Sequence, residues 1–120
     1  MEQFSSLFSA GHIGNIMVKN RIIMSPMLVA YASLDGEVTN ALIDYYAARA
    51  RGGVGLIIVE AASVDNPQGR ENPRQLNIDH SRYLAGLQNL AKAIKAYGTR
   101  AFIQIFHAGR QVSQSSSGVR

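Results

Sequence analysis

Apolar residues recur along this chain in two rhythms. Residues 54–60 (VGLIIVE) are branched and apolar almost without interruption, the pattern of a parallel strand covered on both faces. Residues 21–25 (RIIMS) form a shorter run that Pro26 ends, because proline cannot donate to a sheet ladder. Residues 101–106 (AFIQIF) form a third, apolar apart from Gln104, and break into His107, Ala108, Gly109 and Arg110. Between these runs the period is helical. Leu42, Tyr45, Tyr46 and Ala50 follow the capping types Thr39 and Asn40 and stop at Gly52 and Gly53. Leu84, Leu87, Leu90, Ala91 and Ile94 put apolar groups on one face of a second helix, with Asp79 or Ser81 as its cap and Gly98 as its stop. The predicted order is βαβαβ.

Strands alternating with helices of this length imply a parallel sheet with right-handed crossovers, either doubly wound or closed into a barrel. Residues 13–19 (IGNIMVK) read as a small hairpin turning at Gly14 and Asn15, and that prelude favours the barrel. A complete eight-stranded barrel takes roughly 250 residues. Three strands in 120 residues keep that pace. The expected fold class is therefore α/β: the first three βα units of a (β/α)8 TIM barrel, preceded by a short N-terminal hairpin, with the barrel incomplete in this chain.

Composition changes this picture little. The sequence is 47% hydrophobic, ordinary for a domain that buries a core. Its longest apolar runs fall far below the ~18 residues of a membrane span. The N-terminus lacks the basic stretch and apolar block of a secretory signal, so a cytoplasmic location is expected. With no cysteine, disulfides, thiolate metal sites and a cysteine nucleophile are excluded within this stretch. The net charge of +4 comes from scattered Lys and Arg, which reads as solvated surface and not as a nucleic-acid patch.

Ligands of parallel α/β folds bind at the carboxyl ends of the strands, which singles out Ser25, Glu60, Gln104 and His107. An amide inside an apolar strand must find partners or cost about 1–3 kcal/mol. For Gln104 the partner is either a neighbouring strand or buried water, or a ligand edge that alternates donors and acceptors. Glu60 is a general base, a ligand holder or, the favoured reading, a carboxyl paired within the fold. His107 is an acid, a turn-stabilising side chain or a metal ligand, the last poorly supported because no companion stands at metal spacing. Gly52, Gly53 and Gly55 precede a strand, whereas a phosphate-cradling loop follows one, so they read as a helix stop and turn.

Four ordered blocks carry a family resemblance: IGNIMVKNRIIMSPM at 13–27, DGEVTNALIDYYAARARGGVGLIIVEA at 35–61, PQGR at 67–70 and IQIFHAGRQ at 103–111. Together they cover nearly the whole chain, and they resemble the opening of the Old Yellow Enzyme and 2,4-dienoyl-CoA reductase group of NADH:flavin oxidoreductases. The resemblance implies a barrel holding non-covalent FMN, with hydride passing from NADH or NADPH to flavin and then to an activated alkene. By that likeness Ser25, Pro26, Met27 and Leu28 line the flavin after the first strand, Ala61 packs beside it after the second, and Gln104 hydrogen-bonds its pyrimidine edge. An amide suits an edge that alternates carbonyl acceptors with an N–H donor.

Two features depart from the family pattern. Leu28 stands where many relatives carry Cys or Thr able to hydrogen-bond the flavin. The substrate-anchoring residues, the tyrosine proton donor and the phosphate site of such relatives lie on later strands, so no catalytic residue is assigned within these 120. Some relatives also carry an iron–sulfur cluster and an FAD-type nucleotide domain further along, on which the lack of cysteine here has no bearing. The expected partners are small molecules, with no nucleic acid and no membrane, and a homo-oligomeric full-length form is compatible. The reading from a different class is an autonomous, non-catalytic α/β binding module.

Overall fold

The computed structural model describes residues 4–112. A one-turn helix α1 (Ser5–Phe8) precedes the expected hairpin, in which β1 (Gly11–Ile13) pairs antiparallel with β2 (Ile16–Val18). Gly14 turns it at φ 56°, a left-handed conformation that glycine adopts at little cost. The short helix was not anticipated, since four residues with no buried side chain leave no apolar period to detect.

The remaining elements follow in the predicted order: β3 (Ile23–Met24), α2 (Asn40–Arg51), β4 (Leu56–Ser63), α3 (Leu84–Lys95) and β5 (Arg100–Phe106). The three strands form one parallel sheet with β4 in the middle. This is a barrel's opening arc. Among the described residues β3 and β5 pair with β4 alone, so both of their outer edges are open.

Boundaries differ from expectation for local reasons. The first strand shrinks to two residues because the Ile22 amide donates to Asn20 Oδ1 instead of to the ladder, and Pro26 closes the far end. The second strand runs on through Ser63, past the charged residue expected to end it. Helix α2 begins as predicted, with Thr39 Oγ1 accepting from the Leu42 amide. The second helix starts later than expected, after a 3-10 turn at Ser81–Tyr83 capped by His80 Nδ1 on the Arg82 amide. Neither Asp79 nor Ser81 caps it, and Asp79 instead accepts from the Asn66 amide. Leu84, placed on its apolar face by spacing, is 56% exposed.

The core lies between the sheet and the two long helices. Leu42, Tyr46 and Ala50 of α2 and Leu90 and Ile94 of α3 pack on Ile57, Val59 and Ala62 of β4. Each large apolar side chain so buried contributes about 1.5–3 kcal/mol relative to exposure. Met24, Ala101 and Ile103 pack partly against the same cluster, which fixes the helix-facing side of all three strands. Gly53 takes φ 102° after α2, as the helix-stop reading requires. Gly55 has a different reason: a Cβ there would lie 2.6 Å from the Asn20 carbonyl oxygen, so only glycine lets the two backbones approach.

Candidate functional site

Side chains alternate across a strand, so the residues between the helix-facing ones point to the opposite, inner face. In β5 that assigns Phe102, Gln104 and Phe106 to the inner face, since Ala101 and Ile103 pack on the helix side. Ser25 follows the helix-facing Met24 and so turns inward at the end of β3. In β4 the alternation is interrupted. Val59 pairs with Ile103 but Ala62 pairs with Ile105, so Glu60 and Ala61 together oppose the single residue Gln104. This is a β-bulge, a device that re-aims side chains beside binding sites.

At the bulge two backbone groups take side-chain partners. The Glu60 amide donates to Tyr46 Oη at 2.8 Å, and the Ala61 carbonyl accepts from Gln75 Nε2 at 3.0 Å. Gln75 is fully buried, and its Oε1 accepts from the Glu71 amide. The Ser63 amide donates to the Leu76 carbonyl and the Ser63 carbonyl accepts from the Ile78 amide, which folds the following loop back over the strand end. Sequence reasoning did not single out Tyr46 or Gln75. For Tyr46 there was a signal: an aromatic at a buried helical position whose hydroxyl needs a partner. Gln75 sits in an irregular loop, where no period marks burial.

Glu60 is fully buried with its side chain inside the fold. Its Oε2 accepts from the Val29 amide at 3.0 Å, while Oε1 is buried with no partner among the described residues. Burial raises its pKa above the ordinary 4.5, and the Val29 hydrogen bond only partly opposes this. Burial likewise pushes the Tyr46 hydroxyl up, keeping it neutral. The favoured sequence reading of Glu60, a carboxyl paired within the fold, matches this geometry. Because the folded form holds its proton more tightly than the unfolded chain does, its contribution to stability is fully present below about pH 4.5 and is lost as pH rises through the raised folded value. The stability gap between Glu60→Gln and the parent should therefore widen from pH 4.5 upward and then level off. Urea midpoints of the full-length protein between pH 4.5 and 8 measure it, and a gap independent of pH would mean the buried carboxyl is already ionised.

The other expected site residues are distributed as follows. Ser25 and Met27 are exposed, Pro26 and Leu28 are half-buried, Ala61 is buried and Gln104 is exposed. The alternatives left open for Gln104 narrow, because its amide takes no hydrogen bond from a neighbouring strand among the described residues. His107, just past β5, accepts from the Gly109 amide through Nδ1 at 2.9 Å and places Nε2 3.4 Å from Asp65 Oδ2. It stabilises a turn, which was one of its three readings. No group of three metal-ligating side chains occurs among the described residues, nor any helix long and apolar enough to cross a membrane.

The inner face thus presents Ser25, Ala61 and Gln104 near the carboxyl ends of three parallel strands, with Phe102 and Phe106 flanking Gln104. Residues 6–118 match the sequence model of the NADH:flavin oxidoreductase / NADH oxidase family. The chain belongs to that family. An NADH oxidase from Thermoanaerobacter brockii is 53% identical over 113 residues, which are 94% of this chain and 17% of that protein. An NADH:acrylate oxidoreductase from Vibrio harveyi is 50% identical over 103 residues, 86% of this chain and 10% of that protein. Among solved structures, an Old Yellow Enzyme homologue from Zymomonas mobilis superimposes with a TM-score of 0.86 at 31% identity, covering 96% of this chain and 32% of that one. The chain therefore spans a third or less of these relatives. The family resemblance and the partial barrel read from the sequence both hold.

Proposed function

We propose that residues 1–120 form the N-terminal segment of an FMN-binding barrel domain, in a protein that passes hydride from NADH or NADPH through flavin to an activated alkene. The observation that carries this reading is the exposed Gln104 amide on the inner face, set opposite a bulge that brings Ala61 beside it. A planar ring with a uracil-like edge fits that surface. The amide can both donate to ring carbonyls and accept from the ring N–H, and Ala61 leaves room next to it. Ser25, Pro26, Met27 and Leu28 would line the ring from the end of β3. The Leu28 side chain offers it no hydrogen bond, unlike the Cys or Thr of many relatives.

The chemistry such a cofactor supplies is two-electron hydride transfer between a nicotinamide and an electron-poor acceptor. The residues of this segment contribute orientation: they hold one edge and one face of the ring and exclude water from them. We assign none of the described side chains a proton transfer with substrate. The acceptor class we infer is an alkene conjugated to a carboxylate, ketone or thioester, and the NADH:acrylate oxidoreductase relative supports the carboxylate case alone. The same reading puts the full-length protein in the cytoplasm, acting on small molecules and on neither nucleic acid nor membrane.

Titration of the full-length apoprotein with FMN tests the site. Gln104→Leu is expected to weaken binding by about 0.5–1.5 kcal/mol, about two- to twelvefold in Kd, the net worth of one hydrogen-bonding partner. An unchanged Kd in a folded variant removes Gln104 from the site.

A further inference from the structure

The segment between the first strand and helix α2 leaves the sheet at Met24 and must cross the carboxyl end before it reaches Thr39. Met24 is held by its ladder pairing with Ile57. Pro26, Met27 and Leu28 make no backbone hydrogen bond among the described residues. The next fixed point is Val29, whose amide donates to Glu60 Oε2. Immediately afterwards Ala30 takes φ 57°, a left-handed conformation that a residue with a Cβ adopts only when its surroundings impose it. Tyr31 is then pinned in turn, its carbonyl accepting from Thr39 Oγ1. The loop at 25–28 is thus a short bridge between two anchors. The anchor at its far end is one carboxyl oxygen.

Glu60 reaches that position because of the bulge. In an unbroken strand its amide would be committed to the ladder; here Tyr46 Oη holds the amide and leaves the side chain directed at Val29. A buried carboxyl is a costly choice for packing alone, since desolvation penalises it and an aliphatic side chain fills the same volume. The second oxygen, Oε1, is buried and unpartnered, a further cost that packing does not explain. What the carboxyl provides and an aliphatic residue cannot is an acceptor for the Val29 amide.

We propose that Glu60 is a positioning residue, a latch that fastens the loop at 25–28 through Val29 and thereby sets how that loop lies against the flavin ring. The proposal rests on the flavin-binding reading above for its functional half, while the latch itself is a property of the protein without cofactor. Glu60 does not touch the reacting atoms. It acts through the backbone of the loop that does.

The test compares Glu60→Gln, which keeps an oxygen acceptor, with Glu60→Leu, which keeps the approximate shape and removes it, both in the full-length protein. Amide hydrogen exchange of the apoprotein reads the latch directly. Exchange of the Val29 amide, the one in the 25–30 peptide that Glu60 holds, should accelerate at least tenfold in Glu60→Leu and stay within threefold of the parent in Glu60→Gln, with the β4 peptide unchanged in both. In the flavin-loaded protein, Glu60→Leu should raise the FMN Kd at least tenfold and shift the flavin absorption maxima and reduction potential, and Glu60→Gln should restore all three. Equal exchange of the Val29 amide in Glu60→Leu and parent overturns the latch, whatever FMN does. Accelerated exchange with unchanged Kd, spectrum and potential overturns the claim that the latch serves the ring. A parent protein that binds no FMN removes the flavin-binding reading and this claim with it, and leaves the exchange result to decide the latch. Should Glu60→Leu fail to fold, Glu60→Met carries the same comparison with a more adaptable side chain.

Discussion

Residues 1–120 produced alone are expected to elute from gel filtration as self-associated material, without flavin colour after addition of FMN and without NADH oxidation. The outer edges of β3 and β5 have no strand partner among the described residues, so each presents a row of unpaired amides and carbonyls. Apolar side chains stand beside them: Ile23 is 48% exposed and Ile105 is 72% exposed. Val59, Ile78, Leu87, Leu90, Ile94 and Ile103 also line an open apolar groove of about 220 Å3 between α3 and β5. Backbone groups and apolar surface exposed together favour strand-to-strand association. Flavin retention should fail for a separate reason. Barrels of this type commonly build their phosphate site on the loops after strands seven and eight, and this segment holds three strands. Size-exclusion chromatography with an absorbance spectrum of the protein peak gives the answer. A yellow, monomeric, NADH-oxidising product overturns the partial-barrel reading; a colourless, stable monomer favours the autonomous binding module.

Tyr46→Ala is expected to be the most damaging single core substitution, costing about 3–5 kcal/mol as a buried aromatic reduced to a methyl. Tyr46 is completely buried between α2 and β4, and its hydroxyl is the partner of the Glu60 amide. Tyr46→Phe separates the two contributions. It keeps the packing and leaves a buried amide unsatisfied, a loss of about 1–3 kcal/mol. Urea unfolding of the full-length apoprotein measures both. If Tyr46→Phe matches the parent, the hydroxyl contributes nothing to stability and the bulge is held by packing alone.

The order of the elements was legible because each rests on a local signal. Thr39 caps α2 with its own side chain, Gly53 stops it with a positive φ, and the spacing of Leu42, Tyr46 and Ala50 gives the buried face. What was not legible depended on contacts distant in sequence. Glu60 reads as the end of a strand because carboxylates are rarely buried, and nothing in residues 54–60 shows that Val29, 31 positions away, supplies the hydrogen bond that lets the strand continue. The start of α3 does not fall at Asp79 or Ser81 because a 3-10 turn capped by His80, an uncommon cap, precedes it, and α3 itself has no side-chain cap. Of the candidate site, Gln104 was visible as the one amide in an apolar run. The bulge opposite it was not, since register is a property of two strands and each was read alone.

The N-terminal hairpin is tied to one end of the sheet. Lys19 Nζ donates to the Tyr97 carbonyl at 2.7 Å and Arg100 Nε donates to the Met17 carbonyl at 2.8 Å, so two cationic side chains rivet the hairpin to the amino end of β5. That end of the arc has a floor. The hairpin is thereby held away from the carboxyl ends where Ser25 and Gln104 stand, so substitutions in it bear on how the sheet is supported and not on the candidate site.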